Sequence, residues 1–578
     1  MKKKWLFKAA VALSAAFVFS ATATSSASAQ KLSQTYNNPK KAKKGGTLRV
    51  GYIMDGVFKG VFAPELSVDG PTMDMMQFGL QDMYRSDKEH RFAKGGLADV
   101  TFDKKAKTAT IKIKKNAGWS DGHPLEAEDY VYTYKLIANK ATNSLTYDEE
   151  KKNIVGMEEY REGKSQEISG LEVKDPKTLV VHFKRMVPQM QFVGSSYLIR
   201  TVEPSHYLKD IPFDKLASSD QIQKHPLFYG PFQMTKLVKG ESTEWVPNKY
   251  YGLKKPQVSK LVAEMVPATH VIQDMKMNKY DIYLNQSSRV YLAAKKMKQY
   301  QTLGKKSLYY SYMGFKVGHA DKSGHSVMDR DTPVRDKVLR QAMAYALNTD
   351  EVNKLLVKGL NYRGTTVVPD AYGKYHDPHI KGYDFNLKKA NKLLDKAGYK
   401  KHKDGYRTLP NGKPFTLYLL ASEDAGGKEI VDNFIQQWKK IGVKVKLKNG
   451  RIQEFNSYIE QLINDAKGYD LWFSNWSLGS EPVTSVTSMY LPDDKYNFSH
   501  FVTDENTKLI KSLRSDKAFD EKYLVKQFYK WQEYMNDEAY IVPRNYRYGT
   551  YTVSKKLKGV SFDHVKGYDM WSDVSFTK

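Results

Sequence analysis

The chain of 578 residues contains no cysteine. That one absence excludes disulfide staples, thiolate metal centres and thiol nucleophiles. Long apolar runs are also scarce: beyond the N-terminal segment, no stretch approaches the ~20 consecutive apolar residues that a spanning helix needs. Histidine is sparse at 13 residues. In the pair His376 and His379, Pro378 breaks the helical turn on which such spacing would gather a metal, and His319 and His325 flank a loop of Gly, Lys and Ser that reads as surface. There is no His-Glu-x-x-His and no Gly-x-x-x-x-Gly-Lys-Ser/Thr, so no metal, cofactor or catalytic residue is expected and the chain does not read as an enzyme. Acidic residues are the minority charge: 64 Asp and Glu against 92 Lys and Arg leave a net +28. A surplus of that size favours polyanionic partners.

The chain is too long for a single core, because domains run to ~100–200 residues, so two or three are expected, with room for a large cleft between lobes. The 40 tyrosines supply rigid apolar area with a polar tip, which suits cores and also walls that bind varied ligands. Residues 1–29 read as a secretory signal peptide: Lys2, Lys3, Lys4 and Lys8, an apolar run over 9–19, then Ala27-Ser28-Ala29, with cleavage expected after Ala29. Losing four lysines and no acid, the mature chain would carry +24. Residues 30–45 hold Lys31, Lys40, Lys41, Lys43 and Lys44 and read as a basic flexible leader. For an exported chain the nearest polyanion is the cell wall with its teichoic acids, rather than nucleic acid.

Residues 111–140 form the most informative segment, an alternating strand, a turn at Asp121-Gly122, Pro124 and then an amphipathic helix. Glu126, Glu128 and Asp129 suit the positive end of that helix, and Lys135 and Lys140 its negative end. Tyr130, Tyr134 and Ile137 share one buried face. Further on, Val334, Val338, Ala342 and Ala346 line a helical face, and a helix stops at Gly398. Residues 417–420 read as a strand and 430–440 as a helix with Val431, Phe434, Ile435 and Trp438 inward. Residues 443–448 alternate strictly, giving a strand with one buried and one basic face. This strand-helix-strand order is α/β.

Trp119-Ser120-Asp121-Gly122 followed by Pro124, Ala127, Asp129 and Val131 resembles the signature of family 5 of the extracellular solute-binding proteins, the oligopeptide-binding components of ABC importers. The resemblance extends through Gly230-Pro231-Phe232, Asn248-Lys249-Tyr250-Tyr251, Val334-Arg335 and Ala539-Tyr540-Ile541-Val542-Pro543 over nearly all of the mature chain. It implies an α/β, periplasmic-binding-protein-like type II fold, with two lobes, a hinge, a central cleft and a satellite domain remote from the main hinge. The expected segments are lobe I at 46–80, 191–304 and 539–578, the satellite at 81–190 and lobe II at 305–538. In place of the lipid-bearing cysteine of many Gram-positive members this chain has none, so retention at the surface without a lipid anchor, or release, is expected.

The resemblance also implies a ligand-lining segment at 469–482, where an extended peptide pairs with backbone. Asn475 and Ser477 are expected to make that pairing, continued by Leu478. Trp472, Phe473 and Trp476 are expected to form side-chain pockets, with at most half of them facing the ligand. The family often grips a free amino group with an Asp three residues after this tryptophan. Gly479 stands there, so either Glu481 substitutes or the peptide end is unclamped. From lobe I, Gly56, Val57 and Phe58 are expected to supply the facing edge. The expected function is capture of extracellular oligopeptides by a monomer that closes on them and delivers them to a membrane ABC permease. The alternatives are another solute (dipeptide, pheromone, sugar or nickel complex) and a cationic adhesin for wall polymer, mucus or matrix.

Overall fold

The structure is a computed structural model describing residues 32–423 and 427–578. The signal peptide expected at 1–29 lies outside the described residues. A single mixed sheet of 11 strands runs through both lobes. In chain order its strands are β1 (Thr47–Ile53), β2 (Phe232–Val238), β3 (Ser242–Pro247), β4 (Lys260–Val266), β5 (Ile282–Leu284), β6 (Tyr300–Phe315), β7 (Asn361–Arg363), β8 (Leu417–Leu420), β9 (Val445–Leu447), β10 (Leu471–Ser477) and β11 (Ile541–Ser554). Across the sheet they lie in the order β2-β3-β4-β1-β5-β11-β6-β10-β8-β9, with β7 paired to β11 off that path. Strands β4, β1 and β5 run parallel in lobe I, as do β10, β8 and β9 in lobe II. The antiparallel pair β6 and β11 joins the two sets.

These two joining strands are 16 and 14 residues long, more than twice the usual ~5–6. The first part of β6 pairs Tyr300 with Ser554 through Lys306 with Tyr548, inside lobe I. The second part pairs Tyr310 with Tyr546 through Gly314 with Ile541, inside lobe II, where β6 also carries β10. The register shifts between Lys306 and Tyr310, and again between Ser311 and Tyr312. Residues 307–309 therefore leave the pairing with β11 at the boundary between the lobes, although Tyr309 already pairs with β10, and bulges of this kind are where strands bend.

Apolar side chains gather into separate cores. Lobe I packs Leu48, Val50, Phe78, Trp245, Ile282 and Val553, among others. Lobe II packs Tyr312, Phe434, Trp438, Leu471, Phe473 and Trp531 around its strands. The satellite has its own four-stranded antiparallel sheet, of Ala98–Asp103, Thr108–Ile113, Thr178–His182 and Leu171–Asp175, covered by the helix Ala127–Ala138. Tyr130, Tyr134 and Ile137 of that helix are fully buried, as its spacing predicts. The helix expected after Val334 begins only at Lys337, because Pro333–Arg335 forms a tight 3-10 turn and the Asp336 carboxylate caps the Val338 amide.

Other features differ from the sequence expectation: Ala539–Val542 and Tyr546, expected in lobe I, pack in the lobe II core, and Val193, Leu198, Ile199 and Val202, also expected in lobe I, pack in the satellite core. Residues 32–45, read as a flexible leader, lie against lobe I: Thr35 and Tyr36 pair with Ser561 and Val560, and Ala42 and Lys43 pair with Thr577 and Phe576. The C-terminal segment offers free strand edges there, and Lys558 Nζ donates to the carbonyls of Asn38 and Lys40. The satellite also closes against lobe II. Phe192 is fully buried in the lobe II core, with its ring 5.7 Å from Tyr375. Beside it Arg91 donates to Tyr375 Oη and Gln191 Oε1 and pairs with Glu521 at 3.0 Å, while Lys374 pairs with the same Glu521 at 2.7 Å.

Candidate functional site

Between the lobes lies a cavity of about 810 Å³, floored by the crossing strands. Lys305 and Ser307 of β6 and residues 547–551 of β11 form the floor. Lobe I supplies Tyr52 at the end of β1, Asp74 and Gln77 at the end of the helix Gly70–Met76, and Asn285 just past β5. Lobe II supplies Val357, Leu360 and Asn361, and the returning C-terminal segment closes the side with Asp563, His564, Tyr568 and Trp571. The walls are thus aromatic and polar, with carboxylates and cations both present. Asp74, Asp82 and Asp563 face the same space as Lys305, Arg547 and His564, so the surplus of positive charge over the whole chain is not repeated in the cleft.

Local contacts hold these groups in place. Tyr52 Oη donates to Asp74 Oδ2. Burial pushes the Asp74 carboxyl upward, and the tyrosine bond opposes that shift. Burial pulls the Lys305 ammonium downward, with Asp563 opposing. His564 stacks on His90 at 4.2 Å, and burial, then the neighbouring His564 and Lys305, lower His90 to about 4, which keeps that ring neutral. Arg547 lies 3.7 Å over the ring of Tyr309, and Tyr551 stacks on Phe562 at 3.6 Å. Such a wall can pair with backbone amides, flank both charged ends of a zwitterion and stack on side chains without demanding one sequence.

The residues singled out from the sequence lie around this cavity rather than in its lining. Trp472 and Phe473 are buried in the lobe II core, because both faces of β10 are covered there. Trp476 is half-buried and stacks on Phe498, and Asn475 beside it is half-buried. Ser477 is exposed at the end of β10, opposite Tyr309 in the ladder, and Leu478 and Gly479 follow it. Gly479 O accepts from Tyr372 Oη at 2.6 Å. Glu481 is only 3% exposed, and both its carboxylate oxygens cap the helix Pro482–Thr487, taking the amides of Val483 at 2.6 Å and Thr484 at 2.7 Å. No oxygen is left pointing at a cleft. Phe58 is buried in lobe I, while Gly56 and Val57 border a separate hollow with Gly240 and Lys279. What the sequence reading passed over is residues 545–551, where tyrosines alternate with Arg547 and Gly549. That alternation signals one wet face on a long strand.

Residues 118–122 spell Gly-Trp-Ser-Asp-Gly, a Gly-x-Ser-x-Gly string, but the surroundings are not those of a nucleophile elbow. The helix begins only at Ala127, Ser120 Oγ accepts from the Phe228 amide, and the nearby imidazoles of His123 and His206 bond to Asp121.

Residues 93–498 match the family described as bacterial extracellular solute-binding proteins, family 5 middle. The oligopeptide-binding protein OppA of Lactococcus lactis subsp. lactis is 38% identical over 565 residues, covering 96% of this chain and 94% of that protein. The oligopeptide-binding protein AppA of Bacillus subtilis is 23% identical over 86% of each chain. Among solved structures, lactococcal OppA complexed with an endogenous peptide in the closed conformation superposes with a TM-score of 0.71 at 37% identity, over 92% of this chain and all of that one. An unliganded open form of the periplasmic murein tripeptide-binding protein MppA superposes with a TM-score of 0.74 at 17% identity and shares the fold.

Proposed function

The chain belongs to family 5 of the bacterial extracellular solute-binding proteins, and from that membership we propose that it captures oligopeptides in the cavity between its lobes and delivers them to a membrane ABC permease. The observation that carries this reading is the cavity itself. At about 810 Å³ it lies near the top of the ~300–1,000 Å³ range of small-ligand sites, which suits an extended peptide of several residues. Its walls offer both signs of charge, as a zwitterionic peptide requires. The exposed end of β10 at Ser477 sits across from Tyr309, on which the cavity-lining Arg547 stacks, so residues 475–479 continue the cleft beyond its floor. A peptide running from the cavity toward Ser477 meets backbone there, which gives affinity without sequence choice. Its amino end is not gripped by Glu481, whose oxygens cap a helix.

The chain works as a monomer, and closure of the lobes about residues 307–309 buries the peptide and presents the form a permease reads. The positive charge left after the expected loss of residues 1–29 and their four lysines holds the exported protein at the anionic wall, teichoic acid included, in place of a lipid. Among the described residues no helix is long and apolar enough to cross a membrane.

Native mass spectrometry of the protein purified from its host tests the reading. Released peptides of mixed sequence and narrow length support it. An empty protein that gives no heat with a random peptide pool overturns it and favours adhesion to wall or matrix. Retention by charge is tested separately: washing intact cells in high salt should release the protein, and retention through that wash contradicts it.

A further inference from the structure

Away from the cleft, three side chains from two distant parts of the chain converge at the edge of the satellite. His123 Nδ1 lies 3.0 Å and His206 Nε2 lies 2.8 Å from the same atom, Asp121 Oδ2. The two imidazoles are stacked, with centroids 4.0 Å apart and planes 20° from parallel. All three offered ligand atoms fall within 4.8 Å of one another. We propose that Asp121, His123 and His206 form a binding site for one borderline divalent transition-metal ion, zinc above all.

The donor set fits that chemistry. Two imidazole nitrogens and one carboxylate oxygen are ligands that zinc takes at about 2.0–2.2 Å, and a tetrahedral ion at those lengths holds its ligand atoms about 3.3 Å apart. The observed separations to Asp121 Oδ2 are a few tenths of an ångström shorter, so an ion entering in place of the imidazole protons would open the ring stack and turn both rings toward itself. Magnesium and calcium prefer oxygen-rich shells and are disfavoured. Asp121 and His123 are exposed, so solvent reaches the cluster, and Asp121 also borders an open cavity of about 680 Å³ with Gln223 and His225.

The ligands are also positioned in advance. Asp121 sits in a turn made by Gly122 at φ +102°, and its Oδ1 accepts the His123 amide at 3.1 Å. His206 belongs to a short helix whose first residue, Ser205, is fixed by its amide and hydroxyl on Asp129 Oδ1, at 2.9 and 2.8 Å. The other oxygen of Asp129 takes Trp119 Nε1 and the Glu126 amide, both at 2.9 Å. One buried carboxylate thus anchors both halves of the cluster, as outer-shell groups do at metal sites. A bound ion staples the satellite turn to the segment that returns to lobe I.

The test is calorimetric titration of ZnCl₂ into chelator-stripped protein carrying no polyhistidine tag, followed by Co²⁺ absorption spectroscopy. The expected result is one saturable equivalent of zinc and cobalt bands of tetrahedral intensity. Asp121→Asn retains an acceptor for the ring N–H groups and so keeps the fold; it should weaken zinc binding at least tenfold, as should His206→Ala, while His379→Ala leaves it unchanged. Circular dichroism identifies any variant that fails to fold. Absence of saturable zinc binding in the parent protein, or equal binding in folded Asp121→Asn and His206→Ala, overturns the site and leaves a hydrogen-bonded cluster only.

Discussion

Two buried carboxylates show how differently one kind of side chain can be used. Asp129 is 2% exposed and accepts four hydrogen bonds, from Trp119, Glu126 and twice from Ser205. Asp129→Ala strands those donors in the interior, so the satellite should lose roughly 3 kcal/mol or more, read as a lower denaturant midpoint of Trp119 fluorescence. Glu481 carries a burden instead. Burial pushes its carboxyl up to about 7, against the two capping amides that pull it down. The folded chain therefore holds a proton that the unfolded chain has released above about 4.5. Stability from this group is fully present below that value and falls as pH rises toward 7, by about 3 kcal/mol in all. Chemical unfolding at pH 5 and pH 8 should show Glu481→Gln losing less stability over that interval than the parent; an identical loss in both would refute the assignment.

At the scale of elements, local chemistry was legible wherever an element is specified by its own residues. The strand, turn and helix of residues 111–140 follow from alternation, Asp121-Gly122 and the helical spacing of Tyr130, Tyr134 and Ile137. Strand β10 was legible as a strand, but its covered faces were not, because Trp472 and Phe473 are buried by helices and strands distant in the chain. The cleft was least legible. Lys305, Arg547 and Asp563 meet only because β6 and β11 cross the lobe boundary together, and no short window of sequence records that pairing. The cap made by Glu481 was missed because Glu481-Pro482 reads equally as a loop. The hairpin between Ala98–Asp103 and Thr108–Ile113 offers a simpler check. Lys107 closes it at φ +56° with its side chain exposed. A Cβ costs about 1–2 kcal/mol in that region, a penalty glycine avoids but partly gives back through its greater chain entropy when unfolded. Lys107→Gly should raise stability by about 0.5–1 kcal/mol, measured by the denaturant midpoint of the satellite.

Across the whole molecule, the satellite meets lobe II through one apolar insertion and a ring of charges. Phe192 leaves the satellite to sit in the lobe II core, while the ion pairs of Arg91, Lys374 and Glu521 lie partly in solvent and are worth ~1 kcal/mol or less each. Burying a phenylalanine contributes about 1.5–3 kcal/mol to this contact, which on the proposed closure holds the lobes together around the peptide. Phe192→Ala should therefore weaken peptide affinity about 10- to 100-fold, chiefly through faster release in stopped-flow experiments, with a larger radius of gyration in X-ray scattering of the peptide-loaded protein. An unchanged release rate would place the closing contact elsewhere. The extended N-terminal segment bears on the same motion. Residues 35–43 are stitched along lobe I beside the last residues of the chain, far in sequence from any part of lobe II. A load applied to the N-terminus would therefore be delivered to lobe I. On the proposed closure about residues 307–309, lobe II would then swing without changing the tension on that segment.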